Sequence, residues 1–425
     1  MRQQFERDVA QMRTDFEVYE AKARADYERY VQSVKSVWGG DTIVDNTKKV
    51  WVEYGTDCRS RSIVDFEKGG IEVEVAVDES EKQDSSLVNT RLAMAVQKML
   101  ESRGSTCPYP SSVDVSEPLT EKPILDGLVD FSKFNLDTSL IKTEFASSGT
   151  SAASPKPTVR GKNLNVDNPK ADRKAEQKMS LEKTLAEMRK ESREKARQKI
   201  DSLANLANKS IIARTIVAQS RKTMKAIKGG DGKVRQVVQL QLNLVSDNLS
   251  RNAALYKDLV AEFSDKFQIE QPLIYAIMEQ ESAFNPQAKS WVPAYGLMQL
   301  VPRSGGADAY RYVYHEDWIP TQSYLFNPRN NIELGTAYLR VLMNQFSPVS
   351  DPHCRRLCVI AGYNTGAGNV SRAFIGTTHL DSAFSHIESL DYQGLYNHLI
   401  VNLPHSETRD YVKKVTQRRE KYMKK

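Results

Sequence analysis

The spacing of apolar residues changes along this chain, and those changes limit what it can fold into. Near the N-terminus Phe5, Val9, Met12, Phe16, Tyr19, Ala23, Tyr27, Tyr30, Val34 and Val37 recur at steps of three and four, the stripe of a single helix. Packing on its own domain is the plainer use of that stripe, because its aromatic residues suit a tight two-stranded coiled coil poorly. After Trp38-Gly39-Gly40 the step falls to two. Ile71, Val73, Val75 and Val77 alternate with Glu72, Glu74 and Ala76, and Gly69-Gly70 supplies a turn back to Ser62–Phe66, so the segment reads as a β-hairpin. A helix fits Leu87 to Leu100. Far downstream Val238, Leu240, Leu242 and Leu244 alternate again, as a strand returning to the same small domain would. From Asn248 onward the helical step persists, beginning with Leu255, Leu259, Phe263 and Phe267. The expected class is α+β: a small α/β domain at 1–130, completed by a strand at 234–246, and a mainly helical domain at 248–425.

The stretch between, 131–233, differs in kind. Asp137 to Asn168 is rich in Ser, Thr, Pro, Lys and Asn and reads as a flexible linker. Lys170 to Lys228 has no proline and is rich in Lys, Glu and Ala, which predicts a charged helical insert. Between Lys170 and Lys233 there are 18 Lys/Arg against 8 Asp/Glu, so the basicity of a chain of net charge +6 is concentrated there. A solvated helix accounts for this. Attachment to an anionic polymer or a membrane surface is the sharper reading. Nucleic acid is not an expected partner, since no aromatic residues are interleaved with the charges.

Other classes are excluded quickly. No run of about 18 apolar residues is present, so no transmembrane helix is expected. Met1–Asp8 has no apolar core, which predicts no secretory signal there, and no lipid-attachment cysteine is visible. Cys58, Cys107, Cys354 and Cys358 form no C-x-x-C, and His353 and His405 complete no ligand spacing, so no metal site is expected. Cys354 and Cys358, four apart in a predicted helix, are expected as buried free thiols.

The segment Gln271–Pro286 carries the chemistry. Ile274, Ile277, Met278 and Glu281 are spaced i, i+3, i+4, i+7, which places Glu281 on an apolar face near a helix end, while Glu279 lies off that face. A desolvated carboxylate favours its neutral form, the property a proton donor to a glycosidic oxygen needs. On this segment alone a salt-bridged or helix-terminal glutamate is the plainer reading. Three further clusters change the balance. Ala294–Pro302 joins a tight glycine to the amide of Gln299. Asn327–Leu339 opens a helix containing Gly335. Ala361–Val370 ends a helix with Tyr363 and Asn364 before a glycine turn. A tyrosine face and a two-way amide suit a sugar.

This ordered set resembles the lytic transglycosylase family with the goose-type-lysozyme-like fold. The matching residues are Glu281-Ser282-x-Phe284-Asn285-Pro286, Gly296-Leu297-Met298-Gln299, Asn327-Pro328 through Tyr338-Leu339, Ala361-Gly-Tyr363-Asn364-x-Gly366 and Glu407-Thr408-Arg-Asp-Tyr411-Val412. Upstream, Ser36-Val-Trp-Gly39, the hairpin, Pro110–Asp114 and Pro123–Gly127 look like the N-terminal domain of a membrane-bound member of that family; 131–230 has no counterpart in it. The resemblance implies cleavage of peptidoglycan glycan strands in the periplasm or cell envelope, with outer-membrane association and no cofactor. Glu281 would be the single acid/base. Gln299, Tyr363 and Asn364 would line the sugar sites, Tyr411 would hydrogen-bond Glu281, and Glu407 would contact substrate. Ser282, Met298 and Tyr338 are further candidate substrate contacts, with packing as their alternative. A muramidase on the same fold and a non-catalytic wall-binding or assembly protein remain the rival functions.

Overall fold

The computed structural model describes residues 2–40, 43–105, 109, 111–112, 117–136 and 207–424. The predicted linker at 137–168, the first part of the predicted basic helix and Cys107 lie outside the described residues. The rest divides into two units, one of 1–130 with 220–425 and one of 131–219.

In the larger unit, helix α1 (Arg2–Trp38) leads to strands β1 (Val50–Tyr54), β2 (Ser60–Asp65) and β3 (Gly70–Asp78), then to helix α2 (Ser85–Glu101). Strands β4 (Lys222–Lys228) and β5 (Val234–Asn243) complete an antiparallel sheet of order β1-β2-β3-β5-β4. The hairpin pairs Asp65 with Gly70 across a turn in which Gly69 has φ +73°, a conformation that favours glycine. The returning strand β5 pairs along all of β3, from Gly70↔Asn243 to Asp78↔Arg235. That long register makes β3 a central strand, so Ile71, Val73, Val75 and Val77 are all buried.

Alternation in β3 separates two faces. Ala76 packs with Val34, Val37 and Trp38 from the end of α1 and with Ile227 and Val237. On that same face Glu74 is buried and ion-paired, 2.6 Å from Arg61 Nε and 2.7 Å from Lys225 Nζ. The Arg61 guanidinium lies 4.0 Å from the centroid of the Trp38 ring, and the Trp38 indole N–H donates to the Cys58 carbonyl at 2.6 Å. Helix α2 packs on β2 and β3. Its first turn is capped by Asp84, whose side chain accepts from the Leu87 N–H at 2.9 Å.

The sequence pattern predicts helix through Lys228, but Lys222–Lys228 is the edge strand β4. Lysines and a lone buried Ile227 give it no helical or alternating signature. Its strand form comes from pairing with β5, a partner the local sequence does not reveal. Lysine-rich sequence also suits an edge that must not recruit another strand.

The helical part follows as α3 (Asn248–Leu255), α4 (Lys257–Phe267), α5 (Gln271–Ser282), a π-turn at Pro302–Gly306, α6 (Ala307–Tyr314), α7 (Gln322–Phe326), α8 (Pro328–Gln345), α9 (Pro352–Thr365), α10 (Ala367–Ile375), α11 (Leu380–Glu388), α12 (Tyr392–Asn402) and α13 (Ser406–Met423). One core runs through it, with Ile274, Ile277 and Met278 of α5 against Leu334 and Leu339 of α8 and Val412 and Val415 of α13. Cys354 and Cys358 are buried free thiols. The sheet and this helical part are tied by specific bonds. Asn248 donates to the Phe66 carbonyl at 2.7 Å, the Lys289 N–H donates to the Thr47 carbonyl at 3.4 Å, and Arg418 lies 3.6 Å from Glu67. The resulting class is α+β, as the sequence predicts.

In the smaller unit, residues 207–219 are helical, with Ile212, Ala213, Ile216 and Val217 buried, and Gln219 accepts from the Asn135 N–H at 2.9 Å.

Trp38 joins α1 to the sheet, cradles Arg61 and is fully buried. Trp38→Ala is expected to destabilise the protein by about 3–5 kcal/mol, read as a lower midpoint in chemical denaturation. Trp38→Phe should recover part of that loss but not the bond to Cys58.

Candidate active site around a buried glutamate

Helix α5 sets the position of the acid. Pro272 in its first turn has no N–H to leave unsatisfied, and the run Leu273–Met278 faces the core. The helix stops because Ala283 and Phe284 both adopt left-handed backbone, with φ of 50° and 65°. Such conformations cost about 1–3 kcal/mol each for non-glycine residues and persist only where the surroundings impose them. Here Ser282 imposes them: its hydroxyl lies 2.8 Å from the Leu297 carbonyl and 3.0 Å from that of Met278, and it accepts from the Phe284 N–H at 3.1 Å. The Phe284 ring is buried and stacked on Tyr256. The chain therefore turns sharply just after Glu281.

A second loop faces this turn. Tyr295 bridges to Leu300, and Gly296 lies between them at φ +77°. A Cβ on Gly296 would come within 2.3 Å of both the Asn331 side-chain nitrogen and the Leu325 carbonyl oxygen, so only glycine fits. Asn331, fully buried on α8, organises the loop. Its amide donates to Tyr295 O at 2.8 Å and Leu325 O at 2.7 Å, and its oxygen accepts from the Met298 N–H at 2.7 Å. Gln299 follows at φ +49°; its amide N–H group bonds the Ala288 and Gly296 carbonyls, both at 3.0 Å. Its side-chain oxygen is buried and has no hydrogen-bond partner among the described residues, so it can accept from a ligand.

The remaining walls come from α9 and α13. Tyr363 donates to the Met298 carbonyl at 2.8 Å, and Tyr338 packs on it with ring centroids 5.4 Å apart. Asn364 accepts from the Thr408 hydroxyl at 2.7 Å. Tyr411 is buried, and its hydroxyl faces Glu281 without a hydrogen bond of ordinary length. Burial pushes the Tyr363 and Tyr411 hydroxyls well above their ordinary range, so both stay protonated.

Glu281 is 5% exposed. Burial raises its proton affinity above the ordinary glutamate value. Lys48 and the Tyr411 hydroxyl oppose that rise, and the Glu407 carboxylate adds to it. The Lys48 ammonium stands 3.6 Å from Glu281 Oε2 and 3.8 Å from Glu407 Oε1. A buried carboxyl that prefers its proton, beside amide and hydroxyl groups, can donate that proton to an ether oxygen and take one back.

Glu281, Tyr363, Glu407 and Tyr411 thus face one another, with Tyr338 packed on Tyr363 and Asn364 bonded to Thr408 of α13; Gln299 adjoins them in sequence through Met298, whose carbonyl accepts from Tyr363. Ser282 and Met298 stand behind them. Both are fully buried, and Met298 lies against Gly335, where a Cβ would come within 2.3 Å of its sulfur. Their burial is in keeping with the packing role that the sequence left as their alternative. The sequence reading did not single out Lys48 and gave no role to Asn331 or to Thr408, which it quoted in a motif. Asn331 lies in a motif it quoted; a lysine in a loop far upstream of the acid carries no local signal at all.

Comparison with known proteins finds similarity in both parts of the chain. Residues 258–383 match the transglycosylase SLT domain, and residues 19–100 match the N-terminal domain of membrane-bound lytic murein transglycosylase C. A membrane-bound lytic murein transglycosylase C from Haemophilus ducreyi is 35% identical over 52% of this chain and 58% of its own length. One from Klebsiella pneumoniae is 38% identical over 47% of this chain and 55% of its own length. One from Actinobacillus pleuropneumoniae is 26% identical over 93% of this chain and 86% of its own length. The chain therefore spans little more than half the length of the first two relatives. Among solved structures, the 70-kDa soluble lytic transglycosylase of Escherichia coli is 29% identical, over 39% of this chain and 23% of that one, with a TM-score of 0.30. The chain is thus similar to lytic transglycosylases in both of its matched regions, the N-terminal domain at 19–100 and the SLT domain at 258–383.

Proposed function

We propose that this protein cleaves the glycan strands of peptidoglycan at the β-1,4 bond between N-acetylmuramic acid and N-acetylglucosamine, as a lytic transglycosylase. The observation that carries the reading is the buried Glu281, its proton affinity raised by burial, beside Tyr363 and Tyr411 and near Gln299 and Asn364. Protonated Glu281 gives its proton to the bridging oxygen, and the bond to the muramyl anomeric carbon breaks. The carboxylate left behind then takes the proton of the muramyl 6-hydroxyl, whose oxygen closes on that carbon. The products are a free N-acetylglucosamine 4-hydroxyl and a 1,6-anhydromuramyl end, and Glu281 is again protonated. One carboxyl group suffices because its two roles are sequential. The Gln299 oxygen is suited to an acetamido or hydroxyl donor, and Tyr363 and Tyr338 offer ring surface.

The membrane-bound, murein-acting name carried by the relatives supports a place in the cell envelope, and association with the outer membrane is part of the proposal. No helix among the described residues is long and apolar enough to cross a membrane. The excess positive charge between Lys170 and Lys233 supports retention near anionic envelope polymers or a membrane surface.

Glu281→Gln is expected to lower the release of muropeptides from isolated sacculi by roughly 10²–10⁴-fold while sacculus binding persists. Mass spectrometry of wild-type digests should find anhydromuramyl ends. Reducing muramyl ends in their place would make the protein a muramidase, and a Glu281→Gln variant that still cleaves would remove Glu281 from the mechanism.

The same substitution has a stability consequence. Glu281 holds its proton more tightly folded than unfolded. The stability linked to that proton is present at pH below the ordinary glutamate value and is lost as pH rises through the elevated one. Glu281→Gln carries no such dependence. Its melting temperature should exceed that of the wild type at neutral pH, and the difference should shrink as the pH falls below the ordinary carboxylate range.

A further inference from the structure

The reaction above asks nothing of the N-terminal domain, yet that domain places a cation at the acid. Lys48 lies in the segment between α1 and β1, and its neighbours on both sides are fixed. The Thr47 carbonyl accepts from Lys289 in the helical part at 3.4 Å, and the Thr47 N–H donates to Val50 O at 2.9 Å. The Lys49 carbonyl accepts from the Phe66 N–H at 3.0 Å, and the Lys49 ammonium pairs with Glu67. Just upstream, Asn46 accepts from the Val52 N–H at 2.6 Å, and the Tyr54 hydroxyl contacts both the N–H and the carbonyl of Val44 at 3.1 Å. A segment held at so many points delivers the Lys48 ammonium to 3.6 Å from Glu281 Oε2 and 3.8 Å from Glu407 Oε1.

Among the described residues, the titratable groups acting on Glu281 come from three elements. They are Lys48 from the N-terminal domain, Glu407 and Tyr411 from α13, and Tyr363 from α9. Glu279, on the same helix, is engaged elsewhere by Arg418, Lys421 and Tyr422. Among these neighbours Lys48 is the cation, and it is matched against two carboxylates. The two-carboxylate arrangement common in glycosidases is here an acid, a second carboxylate and a lysine between them.

We propose that Lys48 is a positioning residue of the reaction, a cation supplied by the N-terminal domain that steadies the Glu281 carboxylate once its proton has left. This inference rests on the proposed role of Glu281. Donation of the proton creates an anion in a site that water barely reaches, and a fixed ammonium nearby lowers the cost of that anion. It acts again while the anion waits to accept the proton of the 6-hydroxyl. Lys48 also separates Glu281 from Glu407, whose like charge would otherwise act on the new carboxylate without a cation between them. The catalytic chemistry of the helical part is then tuned from outside it, and the two parts of the larger unit are one functional body.

The test uses the full chain with Lys48→Met and Lys48→Arg. The Lys48 side chain is 38% exposed, so neither change opens a buried void. Muropeptide release from sacculi is followed across the acid-to-alkaline range, and the Glu281 carboxyl carbon is titrated by NMR in the same proteins. In the methionine variant kcat is expected to fall by roughly tenfold, and both the alkaline limb of kcat/KM and the Glu281 titration should move to higher pH. The arginine variant should keep the wild-type limb and most of the rate. Superimposable titrations and limbs for wild type and Lys48→Met would overturn the proposal, as would equal rate losses in both variants with an unmoved limb, the mark of a purely structural tether. The NMR titration reads the coupling between Lys48 and Glu281 whether or not the enzyme forms anhydro ends, so failure here is distinct from failure of the proposed reaction.

Discussion

A carboxyl group at the end of an apolar helix face is costly to bury in its charged form, and the organisation of the site follows from that cost. Glu281 is desolvated by the packing that makes α5 a core helix. The molecule does not cancel this by pairing the group fully. It surrounds Glu281 with one partly exposed ammonium and one hydroxyl that is near but not hydrogen-bonded at ordinary length. The group is left with a raised proton affinity and with an ammonium to face it once charged, both of use to a residue acting first as acid and then as base.

Glu279, two residues earlier on the same helix, shows what full compensation looks like. It too is buried, which alone would push its proton affinity up. The Tyr422 hydroxyl, at 2.5 Å, Lys421 at 2.9 Å and Arg418 at 3.1 Å outweigh that burial and hold it below the ordinary carboxylate range. Two glutamates on one helix thus carry opposite shifts because their neighbours differ. Glu279 clamps α13 to α5; Glu281 is kept available. The clamp matters to the site, since α13 also delivers Thr408, Tyr411 and Glu407.

Strain and packing complete the arrangement. The left-handed residues Ala283, Phe284 and Gln299 lie on the two loops that bound the site. Each is held by a buried side chain, Ser282 for the first loop and Asn331 for the second. The small α/β domain contributes by a different route. Its sheet is closed by β4 and β5, whose sequence lies far beyond the first three strands, and its ordered loop before β1 presents Lys48 to the helical part.

Much of this was readable in the chain. The change of period from helical to alternating and back located α1, the β2–β3 hairpin, α2, β5 and the helical region, because amphipathic spacing records which side of an element is buried. The helical stripe through Ile274, Ile277 and Met278 placed Glu281 on the buried face. The ordered clusters behind it pointed to Gln299, Tyr363 and Asn364, and the family resemblance added Tyr411. Short-range regularity survives in sequence because neighbouring residues create it. Strand β4, the burial of Ser282 and Met298 behind the site, the organising role of Asn331 and the cation at Glu281 depended on the tertiary structure. Each is a relation between segments far apart along the chain, set by pairing, packing or charge across space. The sequence determined that a carboxyl would be buried at the end of α5, and the fold decided that a lysine from the other domain would face it.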